Sequence, residues 1–323
     1  MSLPTIKVRL QSITYATADV SLFNFVALSG TLPAAAAGAH IDLHLPVGAT
    51  VSTRRSVRQY SLLTPFCGPN HYVIGVKKDP AGQGGSRWLH DQAKVGDVLD
   101  ISPPRNNFTL DEMAVDTLLL AGGIGITPIY AMFMRLQEVG RSVRLIYSCR
   151  SPDHVMFKDD LIGHPNVVLN HASGPDNGTI AALMASASPD SAVYCCGPAP
   201  MIDACGAIAN RLSLRNWHVE RFSAEPPVEG NRENNQRFTV KLARSGLSVE
   251  VDEGQSILDA LISRGIDVPY SCEEGICGAC ETKVLWGNPL HRDTVRTSAD
   301  HERLGTMMIC CSRSRTAFLE LDI

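Results

Sequence analysis

Three cysteines, Cys272, Cys277 and Cys280, stand in C-x4-C-x2-C spacing, and Cys310 follows with Cys311 beside it. Thiolates are soft ligands that hold iron–sulfur clusters or zinc, and one close-set trio plus a distant thiol is the spacing of a plant-type 2Fe–2S centre. A zinc knuckle instead pairs two short C-x2-C hooks, and only one such hook is present. Cysteines that merely filled a core would need no regular spacing. A loop this short can wrap a cluster only if it turns tightly, which Gly275 and Gly278 allow. Such a centre carries one electron at a time, so it implies a donor and an acceptor.

Three other stretches could serve a donor. In Arg58-Gln59-Tyr60-Ser61, an extended chain puts Arg58 and Tyr60 on one face and Gln59 and Ser61 on the other. A cation, a phenol and a hydroxyl so placed suit a phosphate, a planar ring and a polar ring edge, although an ordinary strand reads the same. Gly82-Gln83-Gly84-Gly85-Ser86 precedes Arg87-Trp88-Leu89. With Ser86 as N-cap, a helix over 87–92 would offer free N–H groups to an anion; a plain loop into a helix is the alternative. Gly122-Gly123-Ile124-Gly125-Ile126-Thr127-Pro128 follows the apolar run Thr117–Ala121, with Thr127 as the expected N-cap and Pro128 at the first helical position. Pro128 takes the third glycine's place in G-x-G-x-x-G, so it is the strand–turn–helix context that points to a dinucleotide. A second turn, Cys196-Gly197-Pro198-Ala199-Pro200-Met201, ends the run Ala192–Cys196, and ligands of open α/β sheets bind at such ends. Cys196 reads equally as a buried apolar thiol. Arg150 stands where an adenosine ribose would lie and could hold a 2′-phosphate, though Asp153 opposes that charge.

These residues need elements to position them. Residues 1–110 read as short strands broken by Gly and Pro (Ile6–Leu10, Ile41–Leu45, Tyr72–Val76), which predicts an antiparallel β-barrel or sandwich. Residues 111–225 alternate strand-like runs (117–121, 143–147, 167–169, 192–196), the first of them continuously apolar, with helices. The first helix carries Ile129, Met132, Phe133 and Leu136 and ends at Gly140; the pattern predicts a parallel α/β sheet. Residues 226–236, Pro-led and polar, predict a linker. Residues 237–323 open with a hairpin, Phe238–Leu242 and Leu247–Val251 about Ser245-Gly246. A helix follows, begun by the capping box Ser256-x-x-Asp259, apolar at Ile257, Leu258, Leu261 and Ile262, and stopped at Gly265. The cysteine loop comes next. On an extended chain Cys310 and Cys311 would point to opposite sides, so only one would face a cluster.

Composition excludes several classes. At 323 residues two or three domains are expected. The formal charge is −4 with scattered basic residues, which argues against a nucleic-acid partner. No apolar run reaches membrane length, residues 1–9 lack a signal-peptide core, and cysteines in apolar runs (Cys149, Cys195, Cys205) fit a reducing, cytoplasmic setting.

Arg58-x-Tyr60-Ser61, Val76-Lys77-Lys78-Asp79, Gly82-x-Gly84-Gly85-Ser86 and Pro104-Arg105-Asn106-x-Phe108 together resemble the phthalate dioxygenase reductase family. These are ferredoxin–NADP reductase-like flavoproteins that serve Rieske oxygenases. Both glycine turns match the nicotinamide domain of that family, and the hairpin–helix–loop order matches the β-grasp of plant-type ferredoxins. Gly287-x-x-x-His291-Arg292-Asp293 is of the oxygenase-reductase type; without the family it reads as a solvated turn with a local ion pair. The resemblance covers nearly the whole chain. It implies an FMN-binding β-barrel, an NAD-binding α/β parallel-sheet domain and a β-grasp 2Fe–2S ferredoxin domain. It places Arg58, Gly84, Gly85 and Ser86 on the FMN phosphate, and Gln59, Tyr60, Ser61, Gly75, Val76 and Lys77 along the ribityl chain and ring. Gly123, Gly125 and Thr127 fall at the pyrophosphate, Ser148 and Arg150 toward the adenosine, and Cys196, Gly197, Pro198 and Met201 at the nicotinamide. Phe222 is implied at the flavin face, with a core phenylalanine as the alternative. Ser61 and Cys196 are implied beside the hydride path as catalytic residues. The cluster ligands are implied as Cys272, Cys277, Cys280 and Cys310, with Cys311 an apolar filler. NADH is favoured over NADPH and FMN over FAD. The implied activity is that of an NADH-dependent reductase passing electrons to a Rieske oxygenase component, in an aromatic-ring dioxygenase or O-demethylating system. The alternative is a self-contained NADH oxidoreductase for ferric iron, quinone or a cytochrome.

Overall fold

The computed structural model describes residues 4–46, 56–82, 84–171, 177–223 and 236–323; the expected linker lies outside them except for Gln236. The chain divides into two compact units, Thr5–Arg221 and a second that takes in Phe222–Ile323.

The first unit begins with β1 (Ile6–Thr17), β2 (Val20–Ala27), β3 (His40–Leu45), β4 (Ser56–Ser61), β5 (His71–Lys77), α1 (Gly85–Asp91) and β6 (Val98–Ile101). The six strands run in the order β4-β3-β6-β1-β2-β5, each pair antiparallel. A bridge from Leu62 to Ile74 joins the two edges, so the sheet closes into the expected barrel. Alternation drives it: Val8 and Leu10 of β1 point inward to Phe23, Phe25 and Leu43, while Lys7 and Arg9 point out. The helix α1 differs from expectation at its start. Gly84 is the N-cap, at φ +93°, a left-handed value that glycine adopts without steric cost. Ser86 lies inside the first turn, where its Oγ accepts the Asp79 N–H at 3.1 Å instead of capping.

The same unit continues with β7 (Asp116–Gly122), α2 (Ile126–Glu138), β8 (Ser142–Ser148), α3 (Lys158–Leu161), β9 (Val167–Asn170), α4 (Asn177–Ala185), β10 (Ala192–Cys196), α5 (Ala199–Arg211) and β11 (Asn216–Glu220). The order β11-β10-β7-β8-β9 is parallel throughout, as the alternation of runs predicts. Strands β7 and β10 are buried on both faces, which is why they read as continuous apolar runs. On one face Ile129, Met132 and Phe133 of α2 pack on the sheet; on the other, Ile180 and Met184 of α4 meet Ile202 and Cys205 of α5. The chain moves outward one way from β7 to β9 and the other way from β10 to β11, so a switch point falls between β7 and β10. Gly140 ends α2 at φ +68°, with its N–H on Gln137 O and that of Arg141 on Leu136 O. Thr127 does not cap α2. Residues 123–125 wind as a 3-10 turn directly into the helix, so Gly125 is the cap and the Thr127 Oγ1 donates back to Ile124 O at 3.0 Å.

The second unit holds β12 (Phe238–Leu242), β13 (Ser248–Val251), α6 (Ile257–Ser263), β14 (Glu281–Trp286), β15 (Pro289–Leu290), α7 (Ser298–Leu304), β16 (Thr306–Met308), β17 (Arg313–Ser314) and β18 (Phe318–Leu321). Its main sheet runs β13-β12-β18-β14-β16, with β12 and β18 parallel, and β15 pairs β17. The Ser256 Oγ accepts the Asp259 N–H at 3.0 Å, so α6 starts where the capping box places it, and Leu258 and Leu261 pack with Val240 and Leu319. Cys310 and Cys311 are not on an extended chain. Residues 309–311 form a turn, with the Ser312 N–H on Met308 O at 3.0 Å, so alternation of sides is not what separates the two thiols.

Candidate functional site

On β4, Arg58 lies against the glycine turn before α1. A Cβ on Gly85 would fall 2.8 Å from Arg58 Cγ, so only glycine lets that turn sit on the guanidinium stem. The Ser61 hydroxyl is buried and has no hydrogen-bond partner among the described residues. Burial pushes the Tyr60 phenol up, against the pull of Arg58. A cation at a glycine turn, a phenol kept protonated and an unsatisfied buried hydroxyl fit a phosphate-bearing planar ring with a polar edge. Gln59 is held from its own side, donating to Asp42 Oδ1 at 2.9 Å. A Cβ on Gly75 would lie 2.9 Å from Thr127 Cγ2, so glycine at this place admits α2 against the barrel. Val76 is buried, and Lys77 Nζ lies 3.5 Å from Asp19 Oδ2.

A cavity of about 360 Å³ opens at the carboxyl ends of the parallel strands. Gly122, Gly123, Ser148, Arg150, Pro198 and Met201 line it from the sheet, and Asp19 and Lys77 from the barrel. The Ser148 hydroxyl is buried without a partner among the described residues. Gly125 lies beneath the cavity rather than in its wall. A Cβ there would fall 2.2 Å from the Cys196 carbonyl oxygen, so the two turns meet backbone to backbone. A Cβ on Gly197 would likewise lie 3.1 Å from the Gly122 backbone. Cys196 is fully buried, and burial, then the nearby Glu220, pushes its thiol well up. It therefore stays a thiol and not a nucleophilic thiolate. Phe222, just beyond β11, is exposed.

Glu220 is a site residue that the sequence reading passed over. It pairs in register with Cys196 on the neighbouring strand, and its Oε2 is buried without a partner among the described residues. Burial pushes the carboxyl from its ordinary 4.5 up to about 8. The folded chain therefore keeps a proton that the unfolded chain has lost, and stability falls as pH rises from about 4.5 to about 8. Each unit of that gap is worth about 1.4 kcal/mol. Glu220→Gln should flatten this dependence, so the melting temperature of the variant falls less between pH 6 and 9 than that of the parent. Parallel melting profiles would show that Glu220 ionises freely.

In the second unit Cys272, Cys277, Cys280 and Cys310 are all buried. The Cys272 N–H donates to Cys277 Sγ at 3.5 Å and the Glu274 N–H to Cys272 Sγ at 3.4 Å. The thiols interact directly: Cys277, then Cys310, draws the Cys272 thiol down, while Cys272 and Cys280 push Cys310 up. Four buried thiols this close cannot all ionise without a cationic centre among them, which is the chemistry of a metal-cluster donor set. Cys311 is half-buried beside Cys310, which its thiol also contacts. Its Sγ occupies the space a Gly275 side chain would need, 2.5 Å from the position of a Cβ, and Gly275 also stands at φ +75°. In the stretch His291-Arg292-Asp293 only Arg292 is exposed; the Asp293 side chain is fully buried and paired with His301, so the ion pair lies inside and not in a solvated turn.

Residues 240–315 match the family of 2Fe-2S iron-sulfur cluster binding domains, and residues 119–206 that of the oxidoreductase NAD-binding domain. The chain is 43% identical over 326 residues to the phenoxybenzoate dioxygenase subunit beta of Ectopseudomonas oleovorans, covering 98% of this chain and 97% of that one. It is 40% identical over 328 residues to the tetrachlorobenzoquinone reductase of Sphingobium chlorophenolicum, covering 99% and 98%. The solved phthalate dioxygenase reductase, described as a modular structure for electron transfer from pyridine nucleotides to 2Fe–2S, aligns with a TM-score of 0.68 at 35% identity over 99% of this chain and 98% of that one. An intact type IV self-sufficient cytochrome monooxygenase aligns with a TM-score of 0.86 at 32% identity; this chain is covered to 99% and spans only 41% of that polypeptide.

Proposed function

The chain belongs to the phthalate dioxygenase reductase family, and we propose on that premise that it is the reductase component of a Rieske-type oxygenase system, taking electrons from NADH. The observation that carries this reading is one chain with a dinucleotide cavity at the switch point of a parallel sheet and a buried four-thiol pocket. When bound, FMN would supply the chemistry that divides a hydride from NADH into a proton and two single electrons, and the 2Fe–2S cluster would carry those electrons one at a time. The residues of this chain would bind, orient and keep water out. Arg58 and the Gly84–Ser86 turn would hold the phosphate, with Tyr60 along the ring and the Ser61 hydroxyl at its polar edge. Gly123, Ser148 and Arg150 would hold the dinucleotide, and Cys196 to Pro198 would face the nicotinamide, with Glu220 holding a proton behind them. Cys272 and Cys277 would ligate one iron, Cys280 and Cys310 the other. We take 1–110 as the flavin segment, 111–225 as the nucleotide segment, 226–236 as the tether and 237–323 as the cluster segment.

Plant-type clusters lie near about −400 mV and Rieske centres near about −150 to +300 mV, so transfer to a Rieske oxygenase would run downhill. Among the described residues no helix is long and apolar enough to cross a membrane, and all ten cysteines are free; we infer a cytoplasmic setting. A second reading, reduction of a quinone without an oxygenase, is favoured by the tetrachlorobenzoquinone reductase relative.

Cofactor extraction tests the first reading. The purified chain should yield FMN, iron and acid-labile sulfide, and should support substrate turnover by a Rieske oxygenase with NADH. Stoichiometric FAD would overturn the flavin assignment. Rapid quinone reduction with no transfer to any Rieske oxygenase would move the function to the second reading.

A further inference from the structure

Between β15 and β16 the second unit buries a set of polar side chains behind the cysteine loop, and the reductase reading leaves them without a role. Asp293 and His301 have fully buried side chains, and His301 Nε2 lies 2.9 Å from Asp293 Oδ1. Asp293 presses on the cysteine loop itself. A Cβ on Gly275, between Cys272 and Cys277, would fall 3.1 Å from Asp293 Cα, and the Thr294 N–H donates to Gly275 O at 3.0 Å. On its other side His301 Nδ1 lies 3.2 Å from Thr306 Oγ1, and Thr306 Oγ1 donates to Glu281 Oε1 at 2.7 Å. Glu281 directly follows Cys280, and Thr306 opens the strand that leads into the turn of Cys310. Arg296 closes the ring, with Nε and Nη2 on Glu281 at 2.7 and 2.9 Å and its N–H on Asp293 Oδ2 at 3.2 Å.

We propose that His301 is the positioning residue of the cluster site: through Asp293 on one side and Thr306 with Glu281 on the other, it ties together the segments that carry the cysteines and sets the reduction potential of the cluster they hold. The proposal rests on the reading of those cysteines as 2Fe–2S ligands. The proton count supports the hub. The Thr306 hydroxyl has one proton, which goes to Glu281, so it accepts from His301 Nδ1–H. The Nε2 contact with Asp293 must then contain a second proton. One imidazole thus links the two polar arms, each joined to a different side of the cysteine site, and no water is needed in a fully buried place.

The same side chains do not make a good second metal site, although His291, Asp293 and His301 bring three donors within 4.8 Å of one another. Both His301 nitrogens are engaged, and the His291 and His301 rings stack 4.1 Å apart at 6°. A metal binds in the plane of an imidazole, and one point cannot lie in the planes of two stacked rings. His291 covers His301 as a lid.

The test is a redox titration of the full-length holoprotein, followed by visible absorbance and electron paramagnetic resonance. Iron and labile sulfide are measured on the parent first, since their absence fails the reading of the cysteine site, whereas a cluster of unmoved potential fails only the present proposal. In His301→Leu the ratio of reduced to oxidised cluster at fixed potential should change about tenfold, a 59 mV move of the one-electron midpoint. His301→Gln, which keeps a donor toward Asp293, should lie between that variant and the parent. If the leucine variant does not retain its cluster, Thr306→Val carries the test, since it cuts the whole arm from His301 through Thr306 to Glu281, leaves the Asp293 contact, and should move the midpoint the same way as the glutamine variant. A ratio within threefold of the parent in a variant with intact iron overturns the proposal. So does stoichiometric Zn2+ binding by the holoprotein, measured by calorimetry, that His301→Leu abolishes.

Discussion

Cys310→Ala should give a chain that still binds flavin and NADH but has lost its iron, whereas Cys311→Ala should keep its iron and visible spectrum. The two residues are adjacent, and both sit in the turn at 309–311, so the difference is one of surroundings. The Cys310 thiol interacts first with those of Cys272 and Cys280 and then with Cys311. The Cys311 Sγ fills the space left by Gly275 and is half-buried, whereas Cys310 is buried. Removing a thiolate takes away an anchor of the cluster, and the loss in bound iron should exceed the roughly 10–100-fold cost of removing a ligand's supporting neighbour. Removing the Cys311 sulfur leaves a small void in a half-buried place, a cost of about 1 kcal/mol. Iron and sulfide assay with the visible spectrum decides between them. Iron lost from Cys311→Ala and kept in Cys310→Ala would put the fourth ligand one residue later.

Gly125→Ala should lower kcat/KM for NADH at least tenfold, about 1.4 kcal/mol, and also destabilise the first unit. The methyl would meet the Cys196 carbonyl at 2.2 Å and the Gly197 nitrogen at 2.8 Å. Overpacking costs about 1–3 kcal/mol when side chains can yield. Here the obstacles are main-chain atoms of the second nucleotide turn, so the methyl must part the two turns that flank the cavity. Gly206→Ala is the matched control. It lies inside α5 with nothing within 4 Å of its would-be Cβ, and there alanine should add about 0.5–1 kcal/mol. Steady-state kinetics and thermal unfolding of the two variants should therefore move in opposite directions on stability. An unchanged KM and melting temperature in Gly125→Ala would mean the turns separate without cost.

The parts of this architecture that show in the sequence are those written locally. Leu118–Ala121 and Ala192–Cys196 are apolar without a break because both faces of their strands are covered. Ser256-x-x-Asp259 states the start of α6, and the cysteine spacing states the donor set before any fold is known. What fails to show depends on neighbours remote in the chain. The N-cap of α1 falls to Gly84 because a left-handed φ sets the entry angle, and a polar side chain at Ser86 carries no sign of that. The barrel closes through Leu62 and Ile74, whose pairing no alternation pattern predicts. Glu220 ends an alternating strand and looks solvent-facing; only the placement of β10 alongside buries its carboxyl. Asp293 and His301 are polar residues in a polar stretch, and it is the fold that removes them from water.

Strand β18 lies between β12 and β14 in the middle of its sheet, although it follows all four candidate ligand cysteines in the chain. A ribosome that has synthesised all four candidate ligand cysteines has not yet made residues 318–321, around which that sheet assembles. The scaffold of the cysteine site is therefore finished only when Phe318–Leu321 pairs with Phe238–Leu242, and a chain cut before residue 318 would carry all four thiols on an incomplete sheet.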